Sequence, residues 1–250
     1  MARPETVLIT GASSGIGRAL AFEYAGGGAQ IALVARRTVE LEVTLAGVRE
    51  RGGSGIAIPL DVTDTAAVKE AVERADRELG SLDMVIANAG FGDMHHASTV
   101  QWSEIAPMIR TNVDGAMATL LAAVPIMMAH GSGHLVGITS LAGRRALPES
   151  AAYCASKAAL SVFLESLRID LAGAGVRVTD VQPGFVATAA IAKGKHPTPL
   201  LWPVDKAARV IARRLERAPR IVAFPWPLAL LTGLGRWLPG ALYERIVRGI

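Results

Sequence analysis

Short, unbroken apolar runs alternate with longer amphipathic segments along most of this chain, and few folds accept that alternation. Strands are expected at Thr6–Thr10, Gln30–Ala35, Gly55–Pro59, Leu82–Ala87, His134–Ser140, Val176–Val181 and Ile221–Phe224. Helices are expected between them, at Gly15–Ala25, Val39–Arg51, Thr65–Leu79, Ser103–Ala129, Ala152–Leu171 and Val204–Leu215. Strands without polar alternation suit a sheet covered on both faces. Strands and helices in turn suit βαβ units and a parallel sheet. Right-handed crossovers then predict a doubly wound α/β fold, with ligands bound at the carboxyl ends of its seven strands. With no linker or repeat in view, residues 1–250 read as one domain.

Composition narrows the class. Of 250 residues 51% are apolar and only 5% aromatic, which suits close helix–sheet contacts. The net charge of +4 is spread over Arg36-Arg37, Arg144-Arg145 and the Arg209–Arg220 region, with no basic stripe or module for nucleic acid. Cys154 is the only cysteine, so an intramolecular disulfide is excluded and the cytoplasm is the expected compartment. The N-terminus lacks the apolar stretch of a signal peptide. No uninterrupted apolar segment reads as a membrane span; the tail from Ile221 comes nearest, broken by Pro225, Pro227 and Pro239. His95-His96 has no accompanying cysteine or carboxylate set, so no metal site is expected.

The first strand candidate runs into Thr10-Gly-Ala-Ser-Ser-Gly-Ile-Gly17. Gly11 permits a tight turn with positive φ. Gly15 lets backbone approach a diphosphate, and Gly17 lets the helix pack closely on the strand. The helix N-terminus then offers N–H groups and a positive dipole end to phosphates. The spacing differs from the common dinucleotide fingerprint.

The Thr-Gly-x-x-x-Gly-x-Gly pattern resembles the compact branch of the short-chain dehydrogenase/reductase family. Further motifs follow in the family's order: Asn88-Ala-Gly90 after the fourth strand, Asn112 within the next helix, Ser140 at the end of the fifth strand, Tyr153-Cys-Ala-Ser-Lys157, and Pro183-Gly184 after the sixth strand. The resemblance runs from about Val7 to Thr188. It implies a Rossmann-type NAD(P)-binding domain and hydride transfer between nicotinamide and a carbonyl or alcohol. It implies a cofactor cleft lined by Gly11, Ser13, Ser14, Gly15, Ile16, Gly17, Asn88, Ala89 and Gly90, with Asp61 and Val62 at the adenine. Pro183, Gly184, Val186 and Thr188 would complete it.

The catalytic set implied is Asn112, Ser140, Tyr153 and Lys157. Tyr153 and Lys157 are four apart and share a helical face. A free tyrosine, with a pKa of about 10, is a poor acid or base near neutrality. A nearby ammonium is expected to lower that value, so that the phenol can exchange a proton with substrate. Ser140 can donate to a substrate oxygen as charge develops there, with Thr139 as its rival; the family spacing favours Ser140. Asparagine is a poor helix former, and the resemblance gives Asn112 a water linking Lys157 to solvent. It also gives Lys157 a bond to the nicotinamide ribose.

Arg36 and Arg37 follow the second strand, where the chain meets the adenosine ribose. No acidic residue lies between Gln30 and Val39 to bind a ribose 2′-hydroxyl. Guanidinium there matches a 2′-phosphate, so NADP(H) is expected to be preferred over NAD(H). A non-catalytic dinucleotide sensor would not need all four catalytic residues. Extended-branch epimerases carry a different glycine spacing, and enoyl reductases a wider tyrosine–lysine spacing. Residues 185–203 are expected to form a substrate loop for an apolar small molecule. Residues 225–250 are expected to form a hydrophobic helical extension that packs on the subunit, covers the substrate pocket or a neighbouring subunit, or touches a membrane peripherally. Small residues such as Ala122-Ala123 and Ala158-Ala159 on the long helices suggest a homodimer or homotetramer.

Overall fold

The computed structural model describes residues 3–188 and 198–247. Seven parallel strands form one sheet in the order β3-β2-β1-β4-β5-β6-β7. They are β1 (Thr6–Thr10), β2 (Gln30–Ala35), β3 (Ser54–Pro59), β4 (Met84–Ala87), β5 (Gly133–Ile138), β6 (Val176–Pro183) and β7 (Ile221–Phe224). Chain order runs outward from β1 to β3, then returns to β4 beside β1 and runs out the other way. That reversal is the switch point at which such sheets bind ligands. Val7, Leu8 and Ile9 pair with Met84, Val85 and Ile86 there, and all six are buried.

Helices α1 (Gly15–Ala25), α2 (Thr38–Glu50) and α7 (Val204–Leu215) cover one face. They bury Leu20, Tyr24, Leu41 and Ile211 with Ile9, Ile31 and Val222. On the other face α3 (Thr65–Leu79), α5 (Ala116–His130) and α6 (Ala151–Asp170) bury Val72, Leu120 and Leu164 with Leu8, Val85 and Leu135. Both faces are therefore covered, which is why the strands are apolar on both sides. Local signals end these helices where the chain must turn. Asp64 caps α3 by accepting from the Ala67 N–H, and Gly80 closes it with φ of 79°.

Several boundaries differ from the sequence expectations, two of them at the site. The helix expected over Ser103–Ala129 is α4 (Trp102–Ile109), a π-helical turn at Arg110–Gly115, and then α5. This 29-residue stretch, Trp102–His130, is long and apolar enough to cross a membrane by length and composition, against expectation. It lies on the sheet instead, with Leu120, Ala123 and Met127 buried. β5 stops at Ile138, so Ser140 stands two residues beyond the strand. There it caps a 3-10 turn, Leu141–Gly143, by accepting from the Ala142 N–H at 3.1 Å.

The expected C-terminal extension is helical: α8 spans Trp226–Gly235 and α9 spans Gly240–Val247, and neither contains a buried residue. Of the expected substrate loop, residues 189–197 lie outside the described residues. Its flanks meet where Val186 bridges Trp202, whose ring stacks on Phe224 at 5.0 Å.

Candidate active site

The glycine turn sits at the switch point and is held there by β4. The Thr10 hydroxyl accepts from the Asn88 and Ala89 N–H groups at 3.0 and 3.1 Å. The Asn88 amide donates to the Thr10 carbonyl at 2.9 Å. Gly11 has φ of 67°, and a side chain there would sit 2.8 Å from the Ala89 backbone. At Gly17 a Cβ would lie 2.5 Å from the Asn88 amide nitrogen, so helix and turn approach too closely for any other residue. Ser14 precedes α1 without capping it through its side chain. Among the described residues no side chain accepts from the first N–H groups of α1, which fits a diphosphate.

The two arginines after β2 face different partners. Arg37 donates to the hydroxyls of Ser13 at 3.0 Å and Ser14 at 2.8 Å, and pairs with Glu40 at 3.3 Å. Arg36 pairs with Asp61 at 3.4 Å. Partial burial works against ionisation of Asp61, but the Thr63 N–H and hydroxyl and the Arg36 guanidinium outweigh it and hold the carboxyl below its ordinary range. Val62 is buried, and Gly115 of the π-helical turn lies against it. Gly184 donates its N–H to the Phe224 carbonyl, and Thr188 lies against Gly15. The C-terminal ends of β6 and β7 thus meet the start of α1.

Ser140, Tyr153, Lys157 and Asn112 come together beside this turn. Asn112 is fully buried in the π-helical turn. Its amide donates to the Phe91 carbonyl at 2.8 Å and the Ser156 hydroxyl at 3.1 Å, and its oxygen accepts from the Phe91 N–H at 3.0 Å. A side chain at Gly90 would lie 2.8 Å from the Asn112 oxygen and 3.3 Å from the Lys157 Nζ, so the three converge. Gly92 lies against the Tyr153 ring in the same way. The Ser140 hydroxyl is 3.4 Å from the Pro183 carbonyl.

The expected lowering of the tyrosine is not found. The Lys157 Nζ donates to the Ile138 carbonyl at 2.9 Å and stands 6.0 Å from the centre of the Tyr153 ring. Burial pushes the Tyr153 phenol above its ordinary value, and the neighbouring Ser140 hydroxyl offsets only part of this. Burial likewise pushes the Lys157 ammonium down to about 8, against the opposing pull of Asp180. In this arrangement Tyr153 keeps its proton at neutral pH.

Several contributing residues escaped the sequence reading. Thr10 was passed over as part of a glycine motif. Gly92 and Ser156 carry no signal of their own. A polar chain also runs from the site to the C-terminal helices. The Thr139 hydroxyl donates to the buried Asp180 carboxylate at 2.5 Å, and the Gln182 amide donates to the same carboxylate at 2.6 Å. Arg144 then donates to the Gln182 side-chain amide oxygen at 2.7 Å and to the Ala229 carbonyl of α8 at 2.6 Å. Thr139, weighed as a rival to Ser140, is engaged in this chain. Beyond it, a cavity of about 450 Å³ opens between the Arg145–Pro148 segment and α9, lined by Ala146, Leu147, Pro148, Tyr243 and Val247. Among the described residues no cluster of three His, Cys, Asp or Glu side chains could hold a metal. His95 stands 3.4 Å from Asp93, and His96 meets Ser98. Cys154 is a buried free thiol.

A Rossmann-type sheet with this cluster at its switch point defines a dinucleotide-dependent oxidoreductase, and comparison with known proteins agrees. A family model described as short chain dehydrogenase matches residues 5–198. The chain belongs to the short-chain dehydrogenase/reductase family, whose members use a nicotinamide cofactor to act on small molecules. An uncharacterized oxidoreductase of Myxococcus xanthus is 42% identical over 97% of this chain and 96% of its own length. An alcohol dehydrogenase of Thermococcus sibiricus, solved in complex with 5-hydroxy-NADP, superposes with a TM-score of 0.79 at 28% identity. That match covers 88% of this chain and 94% of the other. An NAD+-bound xylitol dehydrogenase gives a TM-score of 0.81 at 26% identity, covering 88% of this chain and 97% of the other.

Proposed function

We propose that this chain is an NADP(H)-dependent reductase that moves hydride between nicotinamide and a carbonyl or secondary alcohol of an apolar substrate. The carrying observation is the convergence of Ser140, Tyr153, Lys157 and Asn112 beside an open glycine turn. Bound nicotinamide supplies the hydride. The Ser140 hydroxyl holds the substrate oxygen, and Tyr153 delivers the proton that completes the alcohol. A phenol kept protonated by burial suits the direction of carbonyl reduction. Lys157 would hold the cofactor ribose and return the tyrosine proton, and Asn112, fixed by Phe91 and Ser156, would hold a water beside it. Near the site, the cavity lined by Ala146, Leu147, Pro148 and Val247, with Arg145 and Glu244 at its wall, is mostly apolar and supports an apolar substrate.

The cofactor preference rests on Arg37, braced between Ser13 and Ser14, with Arg36 beside it. Loss of a charge-assisted phosphate contact costs about 1.5–3 kcal/mol, some ten- to a hundredfold. Steady-state kinetics with both cofactors test the reading. Arg36→Ala/Arg37→Ala is expected to raise the KM for NADPH by that factor and leave the KM for NADH nearly unchanged. Equal catalytic efficiency of the parent enzyme with NADPH and NADH ends the proposed preference. We also place the enzyme in the cytoplasm as a two-fold oligomer. Exposed Leu121 and Met128 on α5 and Val162 and Ile169 on α6 support pairing of those helices between subunits.

A further inference from the structure

We propose that the outward face of α8 and α9 docks on an anionic lipid bilayer, which delivers the apolar substrate to the adjoining cleft. The docking stands on the geometry below; the delivery rests on the reductase reading above.

Helix α8 is apolar around most of its circumference, and one row of its large side chains faces outward. Trp226, Leu230, Leu234 and Trp237 follow one another at spacings of four, four and three, which is one line along a helix. All four are exposed, Trp226 at 74% and Trp237 at 86%. Leu231 beside them is exposed as well, and Leu242 and Ile246, one turn apart on α9, continue the apolar surface. The opposite side of α8 faces the protein with Leu228, which lies against Gly184, and with Ala229 and Thr232. Arg144 donates to the Ala229 carbonyl and reaches the Thr232 hydroxyl at 3.5 Å. Arg145 donates to the carbonyls of Gly235, Arg236 and Leu238 and lies over the Tyr243 ring at 4.1 Å. The Tyr243 hydroxyl donates to the Ala146 carbonyl at 2.6 Å. Two arginines thus hold the helices by their backbone while the large apolar side chains point away. Contiguous apolar surface of this kind marks an interaction site.

The occupant follows from chemistry and size. A stable protein interface needs about 800 Å² per partner and about ten hydrogen bonds. The line from Trp226 to Trp237 offers only two indole N–H groups to make them, and α8 carries no charge at all. Tryptophans at both ends of a leucine row, with Arg236 and Arg245 exposed nearby, suit the interface between headgroups and acyl chains. Glu244 is the only acid between Pro225 and Val247, so the segment is net basic. At about 15 Å, ten helical residues lie along a bilayer and cannot cross it. The cleft shares Tyr243 and Val247 with α9, so it opens beside the docked face.

Flotation of the full chain with lipid vesicles tests this. Binding is expected to mixed phosphatidylglycerol–phosphatidylcholine vesicles and to be weaker with phosphatidylcholine alone. Leu230→Ser/Leu234→Ser, at exposed positions, should weaken partitioning by about tenfold per side chain. Arg236→Ala/Arg245→Ala should weaken binding to the anionic vesicles by about fivefold per arginine and leave binding to phosphatidylcholine unchanged. Tyr153→Phe should float like the parent, so failure of the catalytic assignment leaves this test intact. Absence of flotation with the anionic vesicles overturns the proposal. So does light scattering that shows a dimer which Leu230→Ser/Leu234→Ser converts to monomer, since a second copy then covers the face.

Discussion

Helices α1 and α8 are built from similar residues and meet opposite surroundings. Helix α1 turns Leu20, Ala21 and Tyr24 into the core, where α7, α2 and the sheet enclose them. Helix α8 buries none of its residues. The difference lies in what each helix is attached to. Helix α1 follows a central strand and has neighbours on every apolar side. Helix α8 follows β7, the last strand of the sheet, and is fastened through its carbonyls by Arg144 and Arg145. Apolar character alone does not decide burial; the supply of packing partners does. The first helix stabilises the fold and shapes the cofactor cleft, and the second is left available to something outside the chain.

The catalytic region offers the largest effect. Tyr153→Phe removes the proton donor while keeping the ring against Gly92. Turnover should fall by about a hundred- to ten-thousandfold with NADPH binding retained, as read by steady-state kinetics and cofactor fluorescence titration. Substantial residual turnover in this variant removes Tyr153 from its role.

The same substitution in the two helices sets core against surface. Leu20→Ala leaves a cavity in a fully buried position and should cost about 2–5 kcal/mol in denaturant unfolding. Leu231→Ala, at a position 66% exposed, should change stability by no more than about 0.5 kcal/mol. A large loss at Leu231 in dilute protein would mean that α8 contributes to the core after all.

Between these lies a pH effect in the sheet. His134 is buried at the start of β5, its Nε2 2.8 Å from the Thr179 hydroxyl. Burial, helped by the Arg177 charge, lowers its pKa to about 4. The fold therefore favours neutral imidazole. Its contribution is complete above the unfolded value of about 6.5 and is lost as pH falls toward 4, by as much as about 3 kcal/mol. Unfolding at pH 7 and pH 4.5 should show this slope, and His134→Leu should remove it. An unchanged slope in that variant assigns the effect to other groups.

Much of this was legible in order along the chain. Continuous apolar runs gave every strand to within a few residues, because a doubly covered sheet needs no polar alternation. The four-residue spacing of Tyr153 and Lys157 placed both on one helical face. The direction of the tyrosine shift was not legible, because spacing says nothing of burial or of where Lys157 points, and it points at the Ile138 carbonyl. Asn112 was located, but the π-helical turn that buries it depends on packing that periodicity does not record. Arg37 was placed after β2; its bonds to Ser13 and Ser14 join segments brought together only by the sheet.

The sequence by itself determined the local and periodic features: the alternation of elements, the glycines that only a close turn tolerates, and the order of the family's motifs. Each depends on a residue's near neighbours along the chain, which the sequence lists directly. The tertiary structure decided how groups distant in sequence combine. It turned Lys157 toward a strand carbonyl and linked Thr139, Asp180, Gln182 and Arg144 to the carbonyl of Ala229. It also chose which side of α8 meets solvent. That helix has apolar residues around much of its circumference, so its sequence leaves the orientation open. Arg144 and Arg145 settle it, because these half-buried guanidinium groups need acceptors, and the carbonyls of α8 and of the turn after it provide them.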